Sequence, residues 1–177
     1  MKRGLVLLAI LSEVLLVSCR KSDSWTDFTS NEGNFAVRFP KSPTDSPQWE
    51  ENGLVQRGVQ VVVDNVVYMV DYTWTNAQLS KDPEADFNNF KNDFFEGAGT
   101  CTTISAGPPS PVLQGYVGRH YVFHCANDAR LDVTHSVNLY LGRSRFYSVS
   151  VLWASSQPEP SETTKFLSSF HLLNPAR

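Results

Sequence analysis

Two strand-like runs, Val55–Val63 and Val66–Trp74, the second with strong alternation, flank the dipeptide Asp64-Asn65 and constrain the fold more than any other feature. Successive side chains of a strand point to opposite faces. Val66, Tyr68, Val70, Tyr72 and Trp74 therefore share one face of a hairpin, and Met69, Asp71 and Thr73 share the other. A lone hairpin is marginal in water, so the aromatic row must be covered. The chain supplies a cover shortly afterwards. Asp82 can cap a helix that has Pro83 at its first position. Phe87, Phe90 and Phe94 then recur at helical spacing, Asp86, Lys91 and Asp93 fall elsewhere, and Gly97 and Gly99 end the run. The pattern predicts a helix over Pro83–Glu96 whose phenylalanines pack on Tyr68, Val70 and Tyr72.

The other segments follow the same logic. Phe35, Val37 and Phe39 alternate with Ala36 and Arg38, which predicts a half-buried strand ended by Pro40 and Pro43. Lys41–Asn52 reads as an exposed polar loop. Thr100–Ala106 and Gln114–Ala126 read as antiparallel strands joined by a Pro-rich loop, Gly107–Leu113. Tyr116–Ala126 and Leu131–Leu141 pair across Asn127-Asp128, Phe146–Trp153 returns after Gly142-Arg143-Ser144, and Ser161–Phe170 reads as a terminal helix. Hairpin-joined strands with two interspersed helices predict an α+β domain, a twisted antiparallel sheet with two or so helices packed on it.

The N-terminus adds a location. Met1-Lys2-Arg3 precedes an apolar run to Val17, interrupted by Glu13. The run is about 14 residues, short of the roughly 20 that cross a bilayer, and reads as a secretory signal. Leu16-Val17-Ser18-Cys19 resembles the lipobox of bacterial lipoproteins. That resemblance implies cleavage before Cys19, a diacylglyceryl thioether on its sulfur and an acylated new N-terminus. It divides the chain into a signal peptide (1–18), a lipidated tether (19–24) and one domain (25–177). It also implies a lipid-anchored protein of the cell envelope, on the outer membrane by default where the cell has one, since Arg20 and not Asp follows the cysteine. Losing Lys2, Arg3 and Glu13 takes the formal charge from −3 to −4. No basic cluster offsets this, which argues against nucleic acid. Of three cysteines, lipid on Cys19 leaves Cys101 and Cys125. A register centred on Leu113 places these two opposite each other, close enough for a disulfide; two buried free thiols are the alternative.

A second resemblance rests on Phe28 … Glu32-Gly33-x-Phe35-x-Val37-x-Phe39-Pro40, Gly115-x-x-Gly118-Arg119, and Phe146-Tyr147-x-Val149-x-Val151 followed by Phe166-Leu167-Ser168-Ser169-Phe170. These motifs resemble envelope proteins with the PsbP/Mog1-like fold. They are packing and turn residues, and the resemblance implies a fold used for binding and accessory roles, with no catalytic site.

Candidate chemistry is sparse. His120 and His124 sit four residues apart on a strand, roughly 13 Å, too far to share one metal ion. His124 can instead face Asp132. His135 falls on the same face as Val133, Val137 and Leu139, where it could join Arg119 and Tyr121 in a small buried polar cluster. No serine lies in Gly-x-Ser-x-Gly, and Gly97-Ala98-Gly99 follows a helix instead of opening one. The reading is a protein without catalytic residues, metal or cofactor: a lipid-anchored envelope binding or accessory/assembly factor with a protein partner. The alternative is a carrier or sensor of a small apolar or lipid ligand, held between sheet and helix by Tyr68, Tyr72, Trp74 and Phe90.

Overall fold

The computed structural model describes residues 25–46, 48–51, 54–74, 82–96, 100–114, 116–126, 132–141 and 145–174. The signal segment, Cys19 and the tether lie outside the described residues. The elements, in order, are β1 (Thr26–Ser30), β2 (Phe35–Phe39), β3 (Thr44–Asp45), β4 (Trp49–Glu51), β5 (Leu54–Val63), β6 (Val66–Trp74), α1 (Pro83–Glu96), β7 (Thr100–Leu113), β8 (Tyr116–Ala126), β9 (Asp132–Leu141), β10 (Arg145–Ala154), α2 (Thr163–Ser169) and β11 (His171–Leu172).

The large sheet has the order β3-β5-β6-β10-β9-β8-β7, with β4 also paired to β5. The small sheet has the order β1-β2-β11. The central hairpin forms as its alternation predicts. Asp64 and Asn65 adopt φ of 50° and 64°, the left-handed turn whose twist matches the flanking strands.

The two faces of the large sheet carry separate cores. On the first, Tyr68, Val70 and Tyr72 of β6 continue through Tyr147, Val149 and Val151 of β10 to Tyr140 of β9. The small sheet and α2 cover them with Phe35, Val37, Phe39, Phe166 and Phe170. The rings meet closely: Tyr68 to Phe166 at 5.3 Å, Phe35 to Tyr72 at 5.6 Å, Tyr140 stacked on Phe170 at 5.5 Å. Aromatic contacts of this kind add to the energy of area burial. On the second face, Tyr121, Phe123, Val137 and Leu139 form a smaller core with Phe87 of α1.

Two expectations are corrected here. The α+β arrangement, with the PsbP/Mog1-like layout attached to it, gives way to a β-rich fold, with two antiparallel sheets and two helices among the described residues. The extra strand comes from segments read as loops. The Pro-rich stretch Gly107–Leu113 continues β7, and β3 and β4 lie within Lys41–Asn52. Prolines signalled a loop, but β7 lies at the edge of its sheet, and its pairing with β8 is interrupted between Ala106 and Pro109 and between Ser110 and Leu113, positions that tolerate a missing N–H.

The second correction concerns α1. The helix has its predicted bounds, and the Glu84 amide donates to Asp82 Oδ1 at 3.0 Å as a cap. It packs, however, on the opposite face from Tyr68, Val70 and Tyr72. The small sheet and α2 already fill the first face, so Phe87 seats on the apolar row of β8 and β9. The side chains of Phe90 and Phe94 lie outside the described residues.

Cys101 and Cys125 are directly opposed and joined as a disulfide. The register reaches this pairing by another route than the one expected. The strands turn near Gln114, at φ 49°, and three irregularities along β7 shift the pairing until the cysteines meet.

Candidate functional site

The sheet's first face ends in a cluster that no single segment announces. Trp74 closes β6, and Arg145 opens β10 directly opposite it. Arg57 of β5 lies opposite Tyr72, one diagonal step from Trp74. The guanidinium carbons of Arg145 and Arg57 stand 5.4 and 5.5 Å from the Trp74 ring centroid, within cation–π range. Tyr72 meets the same indole edge-on at 5.2 Å.

The β1–β2 turn braces this end. Glu32 in that turn forms an ion pair with Arg57, and the Tyr147 hydroxyl donates to the Gly33 carbonyl at 2.9 Å. Burial, aided by Glu32, raises the Tyr72 pKa, while a Ser30 hydrogen bond and the two arginines pull it down. Arg145 takes part in none of the ion pairs among the described residues.

The position of this cluster follows from the register. Thr26 pairs with Phe39, so the described chain enters at the Phe39–Phe166–Tyr68 end, where Lys165 Nζ sits 4.3 Å from the Trp25 ring centroid. Trp74 lies six residues beyond Tyr68, about 20 Å along the strand. The entry point and the Trp–Arg cluster therefore occupy opposite ends of the domain.

A second group of unusual residues lies on the other face. Asp71 stands between Gly58 on β5 and Ser148 on β10. A Cβ on Gly58 would overlap Asp71 Oδ1 and Ser46 Oγ, so the glycine makes room for the carboxyl. Asp71 Oδ2, Ser148 Oγ and Ser150 Oγ are buried with no hydrogen-bond partner. Burial pushes the Asp71 pKa up to about 7, against the lowering effect of Gln56 and Ser46. Two strands away, burial pulls the His135 pKa down to about 4. These groups hold titratable protons inside the sheet and are closed to solvent.

The residues singled out from the sequence fall in several places. Tyr68 and Tyr72 are buried in the first core. Trp74 is half-buried at its end. Phe90 belongs to α1, and its side chain lies outside the described residues. His124 Nε2 bonds Asp132 Oδ1 at 2.8 Å, as the hairpin reading expects, and His120 Nδ1 bonds Asn138 Oδ1 at 2.8 Å. Arg119 engages Glu84 and lies over Phe87 and Tyr121, whereas His135 sits opposite Phe123, four residues further along β8. Arg119 Nη1 also donates to the Tyr121 hydroxyl at 3.4 Å, so that part of the expected cluster forms.

No group of three or more potential metal ligands occurs among the described residues, and no helix among them is long and apolar enough to cross a membrane. The sequence reading missed the two arginines, because the register that brings them to Trp74 is set by three different strands. No protein-family model matches the chain, and no curated protein matches it.

Proposed function

We propose that this chain is a lipid-anchored protein of the cell envelope, of the bacterial lipoprotein type, that acts without catalysis as a binding or accessory factor for an envelope protein partner. The observation that carries the reading is the polarity of the domain. The described residues begin at Trp25 at one end, and a half-buried indole flanked by two arginines stands at the far end. Tryptophan and arginine are the residue types that most often dominate binding surfaces. An anchor on Cys19 would leave that end facing away from the bilayer.

The ring-to-ring packing of Tyr68 and Tyr72 favours this reading over a carrier of an apolar ligand, since those rings already touch Phe166 and Phe35. Cross-linking from detergent-solubilised membranes tests it. Wild type should carry acyl mass on Cys19 and give one defined cross-linked product. Cys19→Ala should lose the acyl mass and leave the membrane fraction. Soluble, unacylated wild-type protein would overturn the anchor, and products unchanged by Trp74→Ala would overturn the binding end.

A further inference from the structure

The partner can be specified further by chemistry, on the strength of the binding reading above. Arg57 and Arg145 both stand over one indole, and Arg145 also hydrogen-bonds the Tyr147 side chain; a guanidinium has five N–H donors, so further donors remain on Arg145. Arg57 is matched by Glu32, whereas Arg145 has no carboxylate opposite it among the described residues. Among the described residues the end therefore presents one cation with no paired carboxylate, beside a half-buried indole, in a chain whose formal net charge is −3. A planar, bidentate acceptor is what a guanidinium edge fits best.

We propose that the Arg57–Trp74–Arg145 end docks an acidic protein segment, whose carboxylate pairs with Arg145 while the neighbouring chain lies on Trp74. Phosphate headgroups offer similar chemistry, but the cluster lies about 20 Å along the sheet from the end where the chain enters. An anchored domain holds that end away from its own bilayer. Charge complementarity thus selects an acid, and position selects a protein.

The test uses the full lipidated chain in detergent micelles, with the Trp74 indole N–H followed by NMR and affinity by calorimetry. Acetyl-tetraglutamate amide is the probe, and acetyl-tetralysine amide the control. The acidic peptide should shift the Trp74 resonance saturably, and the basic one should not. Arg145→Gln should weaken binding on the order of tenfold, the scale of a truncated anchor residue. Arg38→Gln, at the Phe39 end, should leave it unchanged. Equal losses in Arg38→Gln and Arg145→Gln would show diffuse attraction and overturn the proposal. Binding to phosphatidylglycerol vesicles through Arg145, with no response to the peptide, would also overturn it in favour of a lipid surface. Mass spectrometry of Cys19 in the same preparation reports the anchor separately, so failure of the lipoprotein reading is distinguishable from failure of the acidic site.

Discussion

The two faces of the large sheet solve the same burial problem in different ways. The first is closed by rings: Phe35, Phe39, Tyr68, Tyr147 and Phe166 interlock, and the buried Tyr147 hydroxyl finds the Gly33 carbonyl. The second is mixed. Phe87, Tyr121 and Phe123 close part of it, while Asp71, Ser148, Ser150 and His135 are buried beside them. Apolar burial is insensitive to pH, whereas a buried acid or base is not. Stability should therefore depend mainly on the first face, and pH response mainly on the second.

The sharpest way to break this comparison is Phe166→Ala. The ring is fully buried and touches Phe39 and Tyr68, so its loss should cost roughly 3–5 kcal/mol, enough to unfold a marginal domain. Urea denaturation would read it. Phe87→Ala on the second face should cost less, because α1 is held by a smaller core. An equal or greater loss for Phe87→Ala would make the second face the main one.

The next effects are the opposed titrations. The folded pKa of Asp71, about 7, lies above its ordinary 3.8. Its contribution is fully present below pH 3.8 and is lost as pH rises through 7. The folded pKa of His135, about 4, lies below its ordinary 6.5. Its contribution is present above pH 6.5 and is lost as pH falls through 4. Between these values the two slopes oppose each other, so wild type should show a shallow profile. Each shift corresponds to stability on the order of 3 kcal/mol. Asp71→Asn should expose a stability that rises from pH 4 to 6.5, and His135→Phe one that falls as pH increases. Thermal melts across that range decide the matter: a wild-type profile unchanged in both variants would remove the pH response from the second face.

Reduction of the Cys101–Cys125 disulfide comes next. The bond spans 24 positions, and its loss should cost about 3 kcal/mol through the unfolded chain. It ties β7 to β8 beside the Phe87 core, so amide exchange should quicken along β7 and β8 and leave β2 and β6 unchanged. Uniform quickening would show that the two faces unfold as one.

Alternation made much of the hairpin legible, because period-2 patterns follow directly from strand geometry. It assigned Tyr68 and Asp71 to opposite faces, and it identified α1 by its cap and aromatic spacing. It could not say which face α1 would cover. Phe87 and Phe166 are both aromatic helix residues, and only the competition between α1, α2 and the small sheet decides where each one seats. Local composition misled at Gly107–Leu113, since three prolines read as a loop when the sheet's edge tolerates them. The Trp74 cluster was half-legible: the indole stood at the end of an alternating row, but Arg57 and Arg145 reach it through register on both sides. Asp71 was visible as a carboxylate inside a strand, while its burial depended on Gly58 of the neighbouring β5 and on Ser46, just after β3.

The smallest expected effect concerns how α1 is held to the second face. Arg119 links the sheet to Glu84 in the helix's first turn and lies over Phe87 and Tyr121. The arginine is mostly covered, but Glu84 is half-exposed, so solvent and salt screen the charge. Glu84→Gln should cost less than about 1 kcal/mol, and the cost should shrink further in high salt. Arg119→Ala should cost more than Glu84→Gln, because it also strips the stem and guanidinium from two aromatic rings. Urea titrations of both variants at low and high salt separate the contributions. If Glu84→Gln proved as damaging as Arg119→Ala, charge and not ring packing would hold α1. The second face would then differ from the first in its means of attachment as well as in its buried polar groups.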